Sequence, residues 1–425
     1  MLMFLPLAAL TGARTVASIS ISASATGSLH TINTPFFNNT TFSSNTTFSY
    51  GNAAKCVTAI VPIPISATGV NLLFSGPANQ SVATELIQQL YQQDSTIAAE
   101  TNGGQSLIQG TFGIEATLCY PADSITNGKV DTVQILTHGV GLDKSYWDIA
   151  LGYSYVNAAA SAGYATLAYN RLGVGDSDHP DPINVVQSFT DVEILHELTQ
   201  LLRKGTLGSG PFKNIVSVGH SYGSIVGVGQ TAKYPTDVDA VVLTGFVNQL
   251  TYLPQTILAN NPAIANINDP ARWGDLPNGY LVHDTSISVQ LPFFRFPYFD
   301  PDSESFGPNY SDEDSLKRLV YAKQYAAKQT YTFGQQFTLP AIYSPAGAFK
   351  GPVDVVVGQY DFPFCLAACD KPTDQAAATI PALYPAAAVG SQHFIVPNSG
   401  HCINTHYAAP AEFSQINAFL KDNGF

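Results

Sequence analysis

The spacing of apolar residues changes several times along this chain, and each change marks an element. From Cys56 to Ala67 (CVTAIVPIPISA) apolar residues alternate with small or polar ones, as on a half-buried strand. The two prolines in that run predict an edge position, because proline cannot donate to a ladder. Ser81 to Glu100 (SVATELIQQLYQQDSTIAAE) carries its apolar residues at helical spacing. Thr111 to Tyr120 (TFGIEATLCY) returns to the strand pattern.

Strands and helices then alternate. Val130–Leu136, Tyr164–Tyr169, Ile215–Val218 and Ala240–Leu243 read as strands. Ser145–Ala162, Ile183–Lys204 and Ser224–Tyr234 read as helices. This order predicts an α/β chain with a mostly parallel central sheet and helices on both faces. The alternation breaks between Asn248 and Lys350, where aromatics and prolines concentrate, as in LPFFRFPYFDPD from Leu291 to Asp302. We read this stretch as an inserted cap. The pattern resumes with a buried strand at Val353–Val357, another at His393–Val396 and a closing helix at Ala411–Leu420.

The N-terminus reads differently. Leu2–Leu10 is apolar but too short to span a bilayer, and small residues follow, with Thr15-Val16-Ala17 before Ser18. This fits a secretion signal over residues 1–17. A Ser/Thr/Asn-rich stretch follows, with glycosylation sequons at Asn38, Asn39 and Asn45; two more lie at Asn79 and Asn309. The expected protein is secreted, extracellular and glycosylated. The expected organisation is an N-terminal extension at 18–110, core at 111–247, cap at 248–350 and core again at 351–425.

Composition narrows the functions. Of the 425 residues, 45% are hydrophobic and 12% charged, enough to build a core and too uncharged for a disordered chain. The net charge of −13, with no basic stripe, argues against a nucleic-acid binder. No segment after the leader is long and apolar enough for a membrane span. Five cysteines in an oxidising compartment should mostly pair. Cys56 and Cys119 lie near the ends of two strands and could bridge; Cys402 could join Cys365 or Cys369. No Cys/His spacing suggests zinc.

The most informative motif is Gly219-His220-Ser221-Tyr222-Gly223, between a strand and a helix. A nucleophile on such a turn needs glycines at its flanks, where a side chain would clash with backbone. Here the chain resembles the α/β-hydrolase family, from about Thr111 to the C-terminus apart from the cap. Three more motifs carry the resemblance. Thr137-His138-Gly139-Val140-Gly141 is similar to the family's oxyanion loop, which implies the N–H groups of Val140 and Tyr222 as oxyanion donors. Tyr169-Asn170-Arg171-Leu172-Gly173-Val174-Gly175-Asp176-Ser177 resembles the family's D-R-x-G-x-G-x-S turn, with Asn170 where Asp is usual. In the family order Ser, Asp, His, the acid falls on Asp361 in Gly358-Gln359-Tyr360-Asp361, and the base on His401 in Asn398-Ser399-Gly400-His401. The alternative acid position, after Leu243, holds no carboxylate.

Seven other histidines attract structural readings: His138 and His220 flank the motifs, His196 lies in a helix, His283 in the cap, His179 on an acidic loop, and His393 and His406 beside His401. A Cys402–Cys365 bridge would steady the acid and base loops. The chain's layout also resembles that of fungal secreted α/β-hydrolases. These resemblances imply a serine hydrolase cleaving a carboxylic ester or lactone through an acyl-enzyme on Ser221, with Asp361 and His401, and with no cofactor or metal. The aromatic cap points to a small apolar or aromatic substrate. Alternatives on the same triad are a tailoring hydrolase or acyltransferase of secondary metabolism and a peptidase. A different class, a non-catalytic binding protein on the same fold, is disfavoured by the complete triad. Epoxide hydrolases and dehalogenases place Asp where this chain has Ser221.

Overall fold

The computed structural model describes residues 46–124, 130–299 and 320–425. The leader and the sequons at Asn38, Asn39, Asn45 and Asn309 lie outside these residues. Within them the chain forms β1 (Thr47–Phe48), β2 (Ala54–Leu72), α1 (Gln80–Tyr91), α2 (Ile97–Glu100), β3 (Asn102–Pro121), β4 (Thr132–Thr137), α3 (Tyr155–Ser161), β5 (Ala165–Tyr169), α4 (Ser188–Lys204), β6 (Asn214–His220), α5 (Tyr222–Lys233) and β7 (Ala240–Thr244). A three-stranded sheet follows, β8 (Pro262–Ile264), β9 (Tyr280–His283) and β10 (Tyr331–Thr332), interleaved with α6 (Leu253–Ala259), α7 (Ser286–Phe293) and α8 (Val320–Ala326). The chain closes with α9 (Phe333–Thr338), β11 (Val353–Gly358), α10 (Phe362–Cys365), α11 (Gln375–Leu383), β12 (Gln392–Val396) and α12 (Ala409–Asp422).

The main sheet has the order β1-β2-β3-β5-β4-β6-β7-β11-β12. From β5 to β12 all neighbours are parallel; β1, β2 and β3 add an antiparallel edge. Alternate residues of the central strands face opposite sides, as the pleat requires. Val133, Ile135, Val353, Val355 and Val357 pack with α4, α5 and α11. Leu136, Val216, Val218 and Val356 pack with α3 and α12 on the other face. This is the α/β-hydrolase fold, with a mostly parallel sheet covered on both faces.

One departure from a simple layered sheet positions the site. The ribbon of β2 and β3 is paired from Ala54–Pro121 to Leu72–Asn102, yet β3 meets β5 only over Ala116–Cys119. The rest of the ribbon runs past the C-terminal ends of the parallel strands and carries α1 and α2 with it. Its outer edge is satisfied by side chains: Gln187 exchanges two hydrogen bonds with the Val70 backbone, at 3.0 and 2.7 Å, and Asn184 accepts from Leu72 N–H at 2.8 Å. Among the described residues, Pro62 and Pro64 of β2 have no strand on their other side, the edge position expected of them.

Two expected helices are interrupted. Ser81–Glu100 splits at Gln92–Thr96, where Asp94 takes a left-handed conformation with φ 57°. Ser145–Ala162 begins as a single 3₁₀ turn at Lys144–Trp147; after Gly152, at φ +81°, Ser154 caps α3 by accepting from Asn157 N–H at 2.9 Å. Among the described residues no helix is long and apolar enough to cross a membrane.

The cysteines pair as Cys56–Cys119 and Cys365–Cys369, and Cys402 is a buried free thiol. The expected bridge from Cys402 does not form. Leu366 and Ala367 both take left-handed conformations and turn the chain back, so Cys369 comes within 5.0 Å of Cys365, Cα to Cα. The acid and base loops are tied by backbone instead: Tyr360 N–H donates to Ser399 O at 2.8 Å, and a side chain at Gly358 would stand 2.0 Å from Gly400 O.

Two buried carboxyls share the α12 face. Burial raises Asp354 from 3.8 to about 7, and burial together with the nearby Asp354 charge pushes Glu412 well up. A raised acid favours folding below its unfolded pKa, and that contribution is lost as pH rises through the folded value. For Asp354 the difference is about 4 kcal/mol. Urea unfolding at a series of pH values should therefore show Asp354→Asn matching the wild type near pH 4 and exceeding it by several kcal/mol above about pH 7. Parallel pH profiles for the two proteins would contradict this account.

Candidate active site

Ser221 sits on the turn between β6 and α5, at φ 56° and ψ −119°. Such a conformation costs a non-glycine residue about 1–3 kcal/mol and persists only where its surroundings enforce it. Ser221 N–H donates to Thr244 O at 2.9 Å. A Cβ on Gly219 would stand 2.5 Å from Gly223 O, and one on Gly223 would stand 2.1 Å from Thr137 O. The GxSxG spacing is therefore a packing requirement at both ends.

His401 follows β12 and Asp361 follows β11, two adjacent parallel strands. Their side chains meet: His401 Nδ1 lies 2.6 Å from Asp361 Oδ2, and both residues are buried. The other carboxylate oxygen accepts from Phe364 N–H at 2.9 Å, so Asp361 caps α10 as it holds His401. Phe293 and Phe364 pack on His401, with ring centroids 5.2 and 5.8 Å away.

Val140 and Tyr222 reach the same place from two sides. Tyr222 is the first residue of α5, and the first N–H groups of a helix have no intrahelical acceptor. The loop after β4 approaches so closely that a Cβ on Gly139 would lie 3.0 Å from Ser221 Cβ. Val140, Ser221, Tyr222 and His401 all line one cavity of about 330 Å³. Its remaining walls are mostly apolar and come from three stretches: Leu90, Tyr91 and Ala98 of the α1–α2 excursion; Leu253, Ile257 and Phe293 of the region after β7; and Phe337, Leu339 and Phe364 further on.

A buried ion pair fixes this geometry. Arg171 and Asp191 are both buried, 3.2 Å apart. Arg171 also donates to Gly139 O at 3.2 Å and lies over the Tyr222 ring at 4.6 Å. Asp191 accepts from Tyr222 Oη at 2.8 Å and Gln335 Nε2 at 2.7 Å. One pair of charges thus holds both oxyanion-candidate loops and α9. Asn170, the departure from the usual turn, donates to Glu115 Oε2 at 2.5 Å and accepts from Lys144 N–H at 2.8 Å.

Among the described residues, most of the remaining histidines serve structure. His138 Nδ1 donates to Gly139 O at 2.9 Å and its Nε2 accepts from Arg171 N–H at 3.1 Å. Burial, with Arg171 nearby, keeps it neutral. His220 stacks on Tyr146 at 4.4 Å and is likewise held neutral by burial. His196 pairs with Asp237 at 2.7 Å, and exposed His393 faces Asp374 at 3.1 Å. His179 packs near the Tyr280 ring at 5.5 Å.

Two histidines matter more than their sequence context suggested. His406 Nε2 accepts from Gly400 N–H at 3.0 Å and Arg295 N–H at 3.1 Å, and Nδ1 donates to Cys402 O at 2.8 Å. It therefore clamps the backbone on either side of His401, and burial lowers it to about 4. His283 presses on the loop after β4, where a Cβ at Gly141 would lie 2.0 Å from its Nε2. The spacing of five residues from His401 to His406 was visible in the sequence; the contact from His283 and the α1–α2 wall carried no local signal.

The chain belongs to the alpha/beta hydrolase family, whose model matches residues 134–416. No curated protein matches the sequence. Similar solved structures include a monoacylglycerol lipase of Paleococcus ferrophilus (14% identity, 69% of this chain and 95% of that one, TM-score 0.45). A thermophilic esterase from Thermogutta terrifontis is 14% identical over 74% of this chain and 96% of its own, with a TM-score of 0.47. A bromoperoxidase from Bacillus anthracis is 19% identical over 74% and 97%, with a TM-score of 0.45.

Removing one member of a buried pair strands the other charge, at a cost of about 3–5 kcal/mol. Arg171→Met should lower the free energy of urea unfolding by that amount, and Arg171→Met with Asp191→Leu should recover much of it. A single variant as stable as the wild type would show that the pair does not hold these loops.

Proposed function

We propose that the chain is a secreted serine hydrolase that cleaves a carboxylic ester or lactone of a small, largely apolar molecule. The observation that carries this reading is Ser221, raised on its strained turn, sharing a cavity with a His401 whose Nδ1 is held by Asp361. Secretion is supported by the leader-like Leu2–Leu10 and by two disulfides, which persist in oxidising compartments.

In this mechanism Ser221 Oγ attacks the carbonyl carbon while His401 Nε2 takes the hydroxyl proton. Asp361 keeps the other ring nitrogen protonated and stabilises the imidazolium. The N–H groups of Val140 and Tyr222 receive the charge that develops on the carbonyl oxygen; one such donor is worth about 10²–10³ in rate. His401 then protonates the leaving alcohol. A water molecule, deprotonated by the same nitrogen, releases the acid and restores Ser221.

The test is hydrolysis of p-nitrophenyl esters from acetate to palmitate. The wild type should turn them over, Ser221→Ala should not, and Asp361→Asn should lose on the order of 10⁴-fold in kcat. The chain-length optimum would size the acyl pocket. Equal rates for wild type and Ser221→Ala would remove Ser221 from the reaction, and no turnover of any ester would overturn the ester reading.

A further inference from the structure

The cavity wall contains a polar side chain that the mechanism does not use and that finds no partner among the described residues. Asn260 follows α6 and borders the cavity. It is 0% exposed, and neither its amide oxygen nor its amide nitrogen has a hydrogen-bond partner among the described residues. Its backbone N–H is already occupied by Thr256 O at 2.9 Å. The polar neighbours on the same wall differ. Tyr91 Oη donates to Gln336 Oε1, Ser95 Oγ to Gln89 O at 2.5 Å, and Thr256 Oγ1 to Tyr252 O at 3.4 Å.

A buried amide left unpaired is destabilising, so an unsatisfied one beside a substrate cavity points to a partner brought by the substrate. The chain that follows it is fixed. Asn261 Nδ2 donates to Asp284 Oδ2 at 3.0 Å, and Pro262 pairs with His283 across β8 and β9. The backbone that carries the amide is thus fixed before anything binds. A carboxamide offers an acceptor and a donor side by side. A hydroxyl both donates and accepts and can match it alone. A carboxylate would serve only the donor, and an ammonium only the acceptor.

We propose that Asn260 is a specificity-determining residue, and that the substrate of the site described above carries on its apolar portion a hydroxyl group that hydrogen-bonds the Asn260 amide. This rests on the cavity being the substrate site of a serine hydrolase. Discrimination follows from the same physics: a hydroxylated ligand pairs the amide, whereas a deoxy analogue leaves it as unpaired as it is in the free protein.

Ketones, which the triad cannot hydrolyse, separate binding from turnover. Calorimetry would compare benzylacetone with its para-hydroxy derivative, and methyl hexyl ketone with its terminally hydroxylated analogue. The full chain should bind at least one hydroxylated ketone roughly tenfold more tightly than its parent. In Asn260→Leu that gap should close, through weaker binding of the hydroxylated ketone relative to its parent. Asn260→Asp keeps the shape and loses the amide donor; it should narrow the gap, and it serves if the leucine variant does not fold. Equal binding within each pair, binding of none of the four, or a gap unchanged in the variants would overturn the proposal and leave the amide to an ordered water. Ester turnover is read separately. A hydroxyl-dependent gap without ester cleavage would keep Asn260 and discard the hydrolase reading, and cleavage without a gap would do the reverse.

Discussion

The Arg171–Asp191 pair is the constraint on which the site depends. Two charges are removed from water, and attraction in such surroundings offsets that cost only where further hydrogen bonds complete the geometry. Here those bonds go to Gly139 O, Tyr222 Oη and Gln335 Nε2. Each belongs to a different segment: the loop after β4, the start of α5, and α9. Loops that would otherwise move independently are bound to one centre. The strained turn at Ser221 sits between two of them, so its conformation is enforced from both sides.

The second half of the site is positioned by strand adjacency. His401 and Asp361 face each other because β11 and β12 run parallel and adjacent, and their following loops leave the sheet together. Tyr360 N–H to Ser399 O, the close packing of Gly358 on Gly400, and the His406 clamp replace the disulfide that the sequence suggested. Cys402 contributes its backbone carbonyl to that clamp, while its thiol stays reduced and buried.

Much of this was legible in the sequence, for identifiable reasons. The parallel core announced itself because buried strands such as VDVVV at Val353–Val357 are near-continuous apolar runs, Asp354 being the exception in this one, and lie between helices of regular period. The turn at Ser221 was legible because its two glycines meet backbone, which leaves no other residue acceptable. Long-range contacts left no such trace. Nothing in Ser81–Glu100 says that Tyr91 borders a cavity with Ser221; that follows from how far the β2–β3 ribbon overshoots β5. The interrupted helix at Ser145–Ala162 was hidden because Gly152 and Ser154 interrupt the pattern by conformation rather than by a change in apolar spacing. The cysteine pairing turned on two left-handed residues between Cys365 and Cys369, which no spacing rule reports.

The overshooting ribbon separates two kinds of inheritance. The family match covers residues 134–416, which takes in most of β4, the loop after it and the strands and turns that carry Ser221, Asp361 and His401. Leu90, Tyr91, Ser95 and Ala98 lie before it, yet they wall the cavity. Substitutions there can reshape what fits without touching a residue that holds the core's geometry. The shape of the cavity can therefore vary through the N-terminal ribbon while the turn at Ser221 keeps its own supports.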